Sequence, residues 1–232
     1  MQMTKTGKPY ANRHKVADRP LMDAYATPAS LISCAELVFR RFLYPRIPVL
    51  DPCCGESHVF RKELGSMGYE VVENDIIMPG GHDFLHPTSE SLDAWKSCHQ
   101  IAMNPPFSKW DEFVFMAKSY AMTVIAIGRL NYLSTQSRLE SDIWDGLCHI
   151  AVFSRYVDYQ TPIRTDGQFH VGAMATGWFV WQRGYRGEPT VSFVDVDRYA
   201  TLGQFSKKPE NRRKRFEDNN RQMEMFQGCS SC

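Results

Sequence analysis

The chain has no long apolar run. None of its 232 residues stand in a stretch of transmembrane length, so no membrane span is expected. No apolar run follows Met1-Gln2-Met3-Thr4-Lys5, so no signal peptide is expected either. Charge of one sign is also lacking: 27 Lys and Arg face 26 Asp and Glu, a net of +1. A nucleic-acid partner must therefore be argued from local clusters, not from a global field. The seven cysteines are odd in number and irregular in spacing. Without a secretory signal they read as reduced thiols, in the cytoplasm of a bacterium or of a phage-infected host. Cys229-Ser230-Ser231-Cys232 has the spacing of half a zinc site, but no second pair stands nearby, and it reads as tail. No His/Cys/Asp cluster in the core shows ligand spacing, so no metal is expected. No internal repeat is found.

What is present suits one large domain. Hydrophobic residues make up 43% of the chain, enough for a sizeable core. Residues 1–20 form a polar, basic arm. Residues 21–202 alternate strand and helix signals, and residues 203–232 form a charged tail that reads as disordered. The expected strands are Val49–Asp51, Tyr69–Ile76, a brief Asp83–Leu85, His99–Met103, Thr123–Ile127, Ile150–Phe153 and Ala175–Trp181, with Val191–Val194 pairing nearby. Between them, helical spacing predicts helices after Thr27-Pro28, over 58–67 and over 110–120. Thr27 is placed to cap the first of these, with Pro28 at its first position. Strands alternating with helices imply a largely parallel sheet. The two late strand signals, joined without a long helix, imply an antiparallel hairpin at one edge.

Polar residues recur where these strands end. Asp51 is followed by the turn Pro52-Cys53-Cys54-Gly55-Glu56-Ser57, a glycine-bearing loop entering a helix. Asp75 ends the second strand, with Glu73 as a competitor two residues earlier, on the same side of an extended chain. Asp83-Phe84 ends the third. Asn104-Pro105-Pro106-Phe107 ends the fourth, where two consecutive prolines stop the ladder and hold Asn104 in extended geometry.

These residues resemble the Rossmann-like, class I S-adenosylmethionine-dependent methyltransferases that modify amino nitrogens of adenine in nucleic acid. Asn104-Pro105-Pro106-Phe107 is similar to that family's (Asp/Asn)-Pro-Pro-(Tyr/Phe) catalytic motif. Asp51 to Ser57 resembles its Asp-Pro-x-x-Gly-x-Gly cofactor loop, and Tyr25-Ala26-Thr27-Pro28 its upstream aromatic-x-Thr-Pro element. The motif order resembles the γ-type arrangement and that of small phage enzymes, and the likeness covers residues 22–195. It departs at Ser57, where the family has a second glycine, and no recognition domain of the usual size follows the core.

The resemblance implies a mixed seven-stranded sheet with helices on both faces. It also implies S-adenosylmethionine as cofactor, contacted by Tyr25, Thr27, Pro28, Asp51, Cys53, Gly55, Asp75, Asp83, Phe84 and Asn104. Asn104, Pro105, Pro106 and Phe107 would carry the chemistry. Asn104 Oδ1 and the Pro105 carbonyl would each accept an N–H bond from an adenine N6 amine, and Phe107 would stack on the flipped base. The expected partner is DNA in preference to RNA. Contacts would come from residues 129–148, from 155–172, where Arg155, Tyr156, Tyr159, Arg164, Phe169 and His170 interleave, and from the basic cluster over 207–215. Arg129 and Asn131 would line the target cleft. Other readings are an RNA adenine methyltransferase, a protein glutamine-N5 methyltransferase and an inactive nucleic-acid-binding partner.

Overall fold

The computed structural model describes residues 27–157, 159 and 174–196. The chain divides into two compact units, Met1–Val196 and Asp197–Cys232, and every described residue lies in the first. The arm over 1–20, Tyr25, most of the 155–172 loop and the tail therefore lie outside the described residues. No helix among the described residues is long and apolar enough to cross a membrane.

The elements run α1 (Ala29–Ser33), α2 (Glu36–Phe42), β1 (Val49–Asp51), α3 (Val59–Ser66), β2 (Val71–Glu73), α4 (Ser89–Trp95), β3 (Gln100–Met103), α5 (Trp110–Tyr120), β4 (Thr123–Arg129), α6 (Gln136–Leu139), β5 (Leu147–Phe153), β6 (Thr176–Gln182) and β7 (Thr190–Val194). The seven strands form one sheet in the order β2-β1-β3-β4-β6-β5-β7. The first four are mutually parallel. β6 runs antiparallel to both β4 and β5, and β7 runs parallel to β5. This is a mixed seven-stranded α/β sheet with a Rossmann-like parallel half.

Helices cover both faces, as alternation along β6 shows. Trp178 meets Phe39 of α2 and Phe60 of α3 edge-on. Phe179 and Trp181 point the other way, onto Trp110 of α5 and the flanking Trp144. Trp110 also donates its indole N–H to the Ile127 carbonyl of β4 at 2.8 Å. Gly128 makes this closeness possible. A Cβ there would stand 2.8 Å from Trp110 and 2.9 Å from Phe179.

Three expectations are corrected. The late strands form no edge hairpin. β6 is an interior strand, buried at six of its seven positions and apolar on both faces, while β7 is the exposed edge. Asp83–Leu85 is a turn, because the Asp83 carboxylate accepts from Leu85 N at 2.9 Å and the Phe84 ring anchors in the core. The second strand stops at Glu73, so alternation does not carry from Glu73 to Asp75. The sheet still has seven strands, with β7 in place of the expected third.

A candidate active site at the carboxyl edge of the sheet

β1, β2, β3 and β4 all end at one edge. From β1 the chain winds to β2 on one side and later to β3 on the other, so the crevice of a topological switch point lies beyond β1 and β3. The loop after β1 and the Asn104 motif after β3 meet there. Cys53 Sγ donates to the Asn104 carbonyl at 3.6 Å across the crevice.

Asn104 is held from a second side. Its Nδ2 donates to Thr27 Oγ1 at 2.9 Å. Because the amide is planar, this turns Oδ1 away from Thr27. Thr27 is 9% exposed and makes no cap to α1, whose N-cap is Pro28 with no side-chain bond. The capping role expected for Thr27 is thus replaced by a bond to a residue 77 positions away. Trp178 fastens the same segment, donating its indole N–H to the Leu31 carbonyl at 3.1 Å.

Asp51 is completely buried at the end of β1. Its Oδ1 accepts from Cys53 N at 3.3 Å, while Oδ2 has no partner among the described residues. Burial pushes its pKa well above the usual carboxylate range. The Cys53 amide opposes this shift, and the nearby Glu73 and Asp75 charges add to it. An orphaned carboxylate oxygen at a ligand crevice fits a cationic group. Gly55, at φ 58°, bends the loop there, and a Cβ on it would meet nothing within 4 Å.

The second strand's end braces this loop. Asp75 accepts from Gly55 N at 2.9 Å and from Ile77 N at 3.2 Å. Glu73 turns toward α3, pairing with His58 Nδ1 and Arg61 Nη1, each at 3.0 Å. His58 is the one described non-glycine residue with positive φ, at 50°. Asn74, which sequence reasoning passed over, is the brace's centre. It is 3% exposed, and its side chain donates to the Pro52 and His82 carbonyls and accepts from His82 N. Its only signal was an amide at the end of an apolar strand. The ligand atoms of Cys54, His58 and Glu73 also lie within 4.8 Å of one another, a grouping that residue spacing did not suggest. The described cysteines Cys34, Cys53, Cys54, Cys98 and Cys148 are free thiols.

Pro105 and Pro106 lead from Asn104 into the turn at Phe107. Phe107 is only 6% exposed. Its ring meets Tyr159 edge-on at 5.5 Å and carries the Arg129 guanidinium 4.7 Å above its centroid. Tyr132 donates its hydroxyl to the Phe107 carbonyl at 3.2 Å. Phe84 is 2% exposed and packs on Trp95 and Phe113, so its ring is core and covers no open crevice. Asp83 faces outward, its pKa lowered by its bond to the exposed His86. A separate cavity of about 540 Å³, lined by Met122, Trp144 and Arg183 among others, lies where β4 and β5 begin, at the opposite edge.

No family model and no curated protein matches the chain. Among solved structures, it is similar to a methyltransferase subunit of a type I restriction-modification system from Streptococcus thermophilus, at 12% identity and TM-score 0.49, over 79% of this chain and 48% of that one. A modification subunit assigned to a type I restriction enzyme of Vibrio vulnificus is similar at 11% identity and TM-score 0.47, over 69% and 44%. The 23S rRNA methyltransferase ErmE is similar at 16% identity and TM-score 0.37, over 77% and 76%. The chain spans about half the length of the two type I subunits.

Proposed function

We propose that this chain is an S-adenosylmethionine-dependent methyltransferase acting on the N6 amino group of adenine in DNA. The observation that carries the reading is the double hold on Asn104, from Thr27 on one side and Cys53 on the other. It joins three motifs that stand far apart in sequence around one residue, through its side-chain amide and its main-chain carbonyl.

The cofactor, when bound, supplies an electrophilic methyl group on a sulfonium. Asp51 offers a buried acceptor for positive charge, and Gly55 leaves its loop open to close approach. Asp75 sets that loop's position. An aryl amine is a poor nucleophile because its lone pair is delocalised into the ring. Asn104 Oδ1 and the Pro105 carbonyl accept its two N–H bonds, draw the nitrogen toward tetrahedral geometry and free the lone pair. Asn104 needs no charge for this, and positioning supplies most of the acceleration. The two prolines keep both acceptors in register.

The test is transfer of a labelled methyl group to duplex DNA, single-stranded DNA, RNA and protein, followed by digestion and identification of the modified unit. Label on adenine N6 in DNA is the expected result. Asn104→Ala is expected to abolish transfer while calorimetric binding of S-adenosylmethionine survives. Normal turnover by this variant would sink the assignment.

A further inference from the structure

Arg129 is the last residue of β4 and stands at the same edge as Asn104. It pairs in register with Thr176 of β6, and that residue's hydroxyl is taken by the buried Tyr159. The Arg129 guanidinium lies over the Phe107 ring. Its Nε is shut away from solvent and has no hydrogen-bond partner among the described residues. Among the described residues no carboxylate pairs with it, although Arg40, Arg61 and Arg138 each have one. The two tyrosines that contact Phe107 are not in the same position, since the Tyr132 and Tyr159 hydroxyls are both satisfied. A buried guanidinium N–H without an acceptor is costly to maintain and calls for an explanation.

We infer that Arg129 is an oxyanion site for the substrate, which holds a phosphodiester of the target nucleotide beside the Asn104 motif. The inference rests on the reading of this chain as a nucleic-acid methyltransferase. A guanidinium presents two N–H groups in a planar fork that matches two phosphate oxygens. A flipped nucleotide brings its own phosphates to the rim of the base pocket, so a cation beside Phe107 meets them when the base arrives. The guanidinium now covers a face of the ring that the incoming base would use. Entry of the base displaces it, and the released fork turns to the phosphate.

The same oxyanion chemistry would also suit the carboxylate of the cofactor, and the experiment separates the two. Binding of a short fluorescein-labelled single-stranded oligodeoxynucleotide is followed by anisotropy across a salt series, for the wild type, Arg129→Gln and Arg129→Lys. Arg129→Gln is expected to weaken binding about tenfold and to lower the salt slope by about one. Its calorimetric affinity for S-adenosylmethionine is expected to stay that of the wild type. Arg129→Lys keeps the charge without the fork, and so keeps the slope while losing part of the affinity. It also serves if the glutamine variant does not fold. Unchanged oligonucleotide affinity and slope in Arg129→Gln overturn the inference, as does a loss confined to the cofactor. A wild type that binds neither this oligonucleotide nor its RNA counterpart overturns the nucleic-acid reading along with it.

Discussion

At the level of single residues, Thr27 and Asp51 make opposite contributions. Thr27 lowers the disorder of Asn104 through one hydroxyl. Thr27→Val keeps the shape and removes the hydroxyl, so the amide loses its orientation. The turnover number is expected to fall on the order of tenfold to a hundredfold, since small misplacements of a positioning group cost that much. Thr27→Ser restores the hydroxyl and should restore turnover. An unchanged rate in Thr27→Val would remove the positioning role. Asp51, by contrast, costs stability in the absence of ligand. Its carboxyl is buried and its pKa raised, so the folded chain keeps a proton that the unfolded chain releases above the ordinary carboxylate range. Stability therefore falls as pH rises from that range toward the folded value. Asp51→Asn keeps an acceptor for Cys53 N and removes the titration. Urea denaturation without cofactor should show the variant more stable by about 1–3 kcal/mol at neutral pH, with the difference shrinking as pH falls. The same variant should bind S-adenosylmethionine more weakly. A wild type that is equally stable or more stable at neutral pH would contradict this account.

Elements show how far local signals reach. α5 was legible to its ends, because its apolar residues recur at helical spacing and the prolines fix where it begins. β1 and β3 were legible as short apolar runs closed by polar residues. The insertion of β6 was not, because nothing within Thr176–Gln182 says which strands it will pair with. Its aromatic content on both faces was the available clue, since an edge strand seldom hides both. The fate of Phe84 was equally illegible. A phenylalanine in a turn reads the same whether it lies over a ligand or, as here, against Trp95 and Phe113. At the other edge, β7 is tied to β5 by a buried histidine. His149 Nδ1 meets Thr190 Oγ1 at 2.7 Å, and Nε2 meets Ser192 Oγ at 2.8 Å. Burial and the nearby Arg41 both lower its pKa, against the pull of Thr190, so the ring is neutral when folded. The unfolded ring takes a proton near its ordinary value, and the folded ring resists until lower pH. Stability is therefore full above that ordinary value and drains as pH falls toward the folded one. Thermal melts of wild type and His149→Gln from about pH 8 to about pH 5 should show the wild type losing stability relative to the variant as pH falls. A difference between the two that stays constant on acidification would refute the assignment.

Across the whole molecule, the catalytic edge is assembled from contacts remote in sequence. Asn104 depends on Thr27, the segment after Thr27 depends on Trp178, and Trp178 belongs to the strand that divides the sheet. A hydrogen bond also joins Ser33 of α1 to Glu63 of α3. The site is thus built by the fold as a whole, which is why the strand ends at Asp51 and Asn104 were readable in the sequence while the bonds that tie them to Thr27 and to each other were not. The position of β6 also has a consequence for synthesis. Both strands that it separates emerge from the ribosome before it does. Until Thr176–Gln182 is made, β4 and β5 each carry an open hydrogen-bonding edge, and the four-stranded parallel half has nothing on its far side. The nascent chain thus passes through an interval in which two largely apolar strands have edges open to any neighbouring strand, and β6, next to last among the described strands, closes both at once.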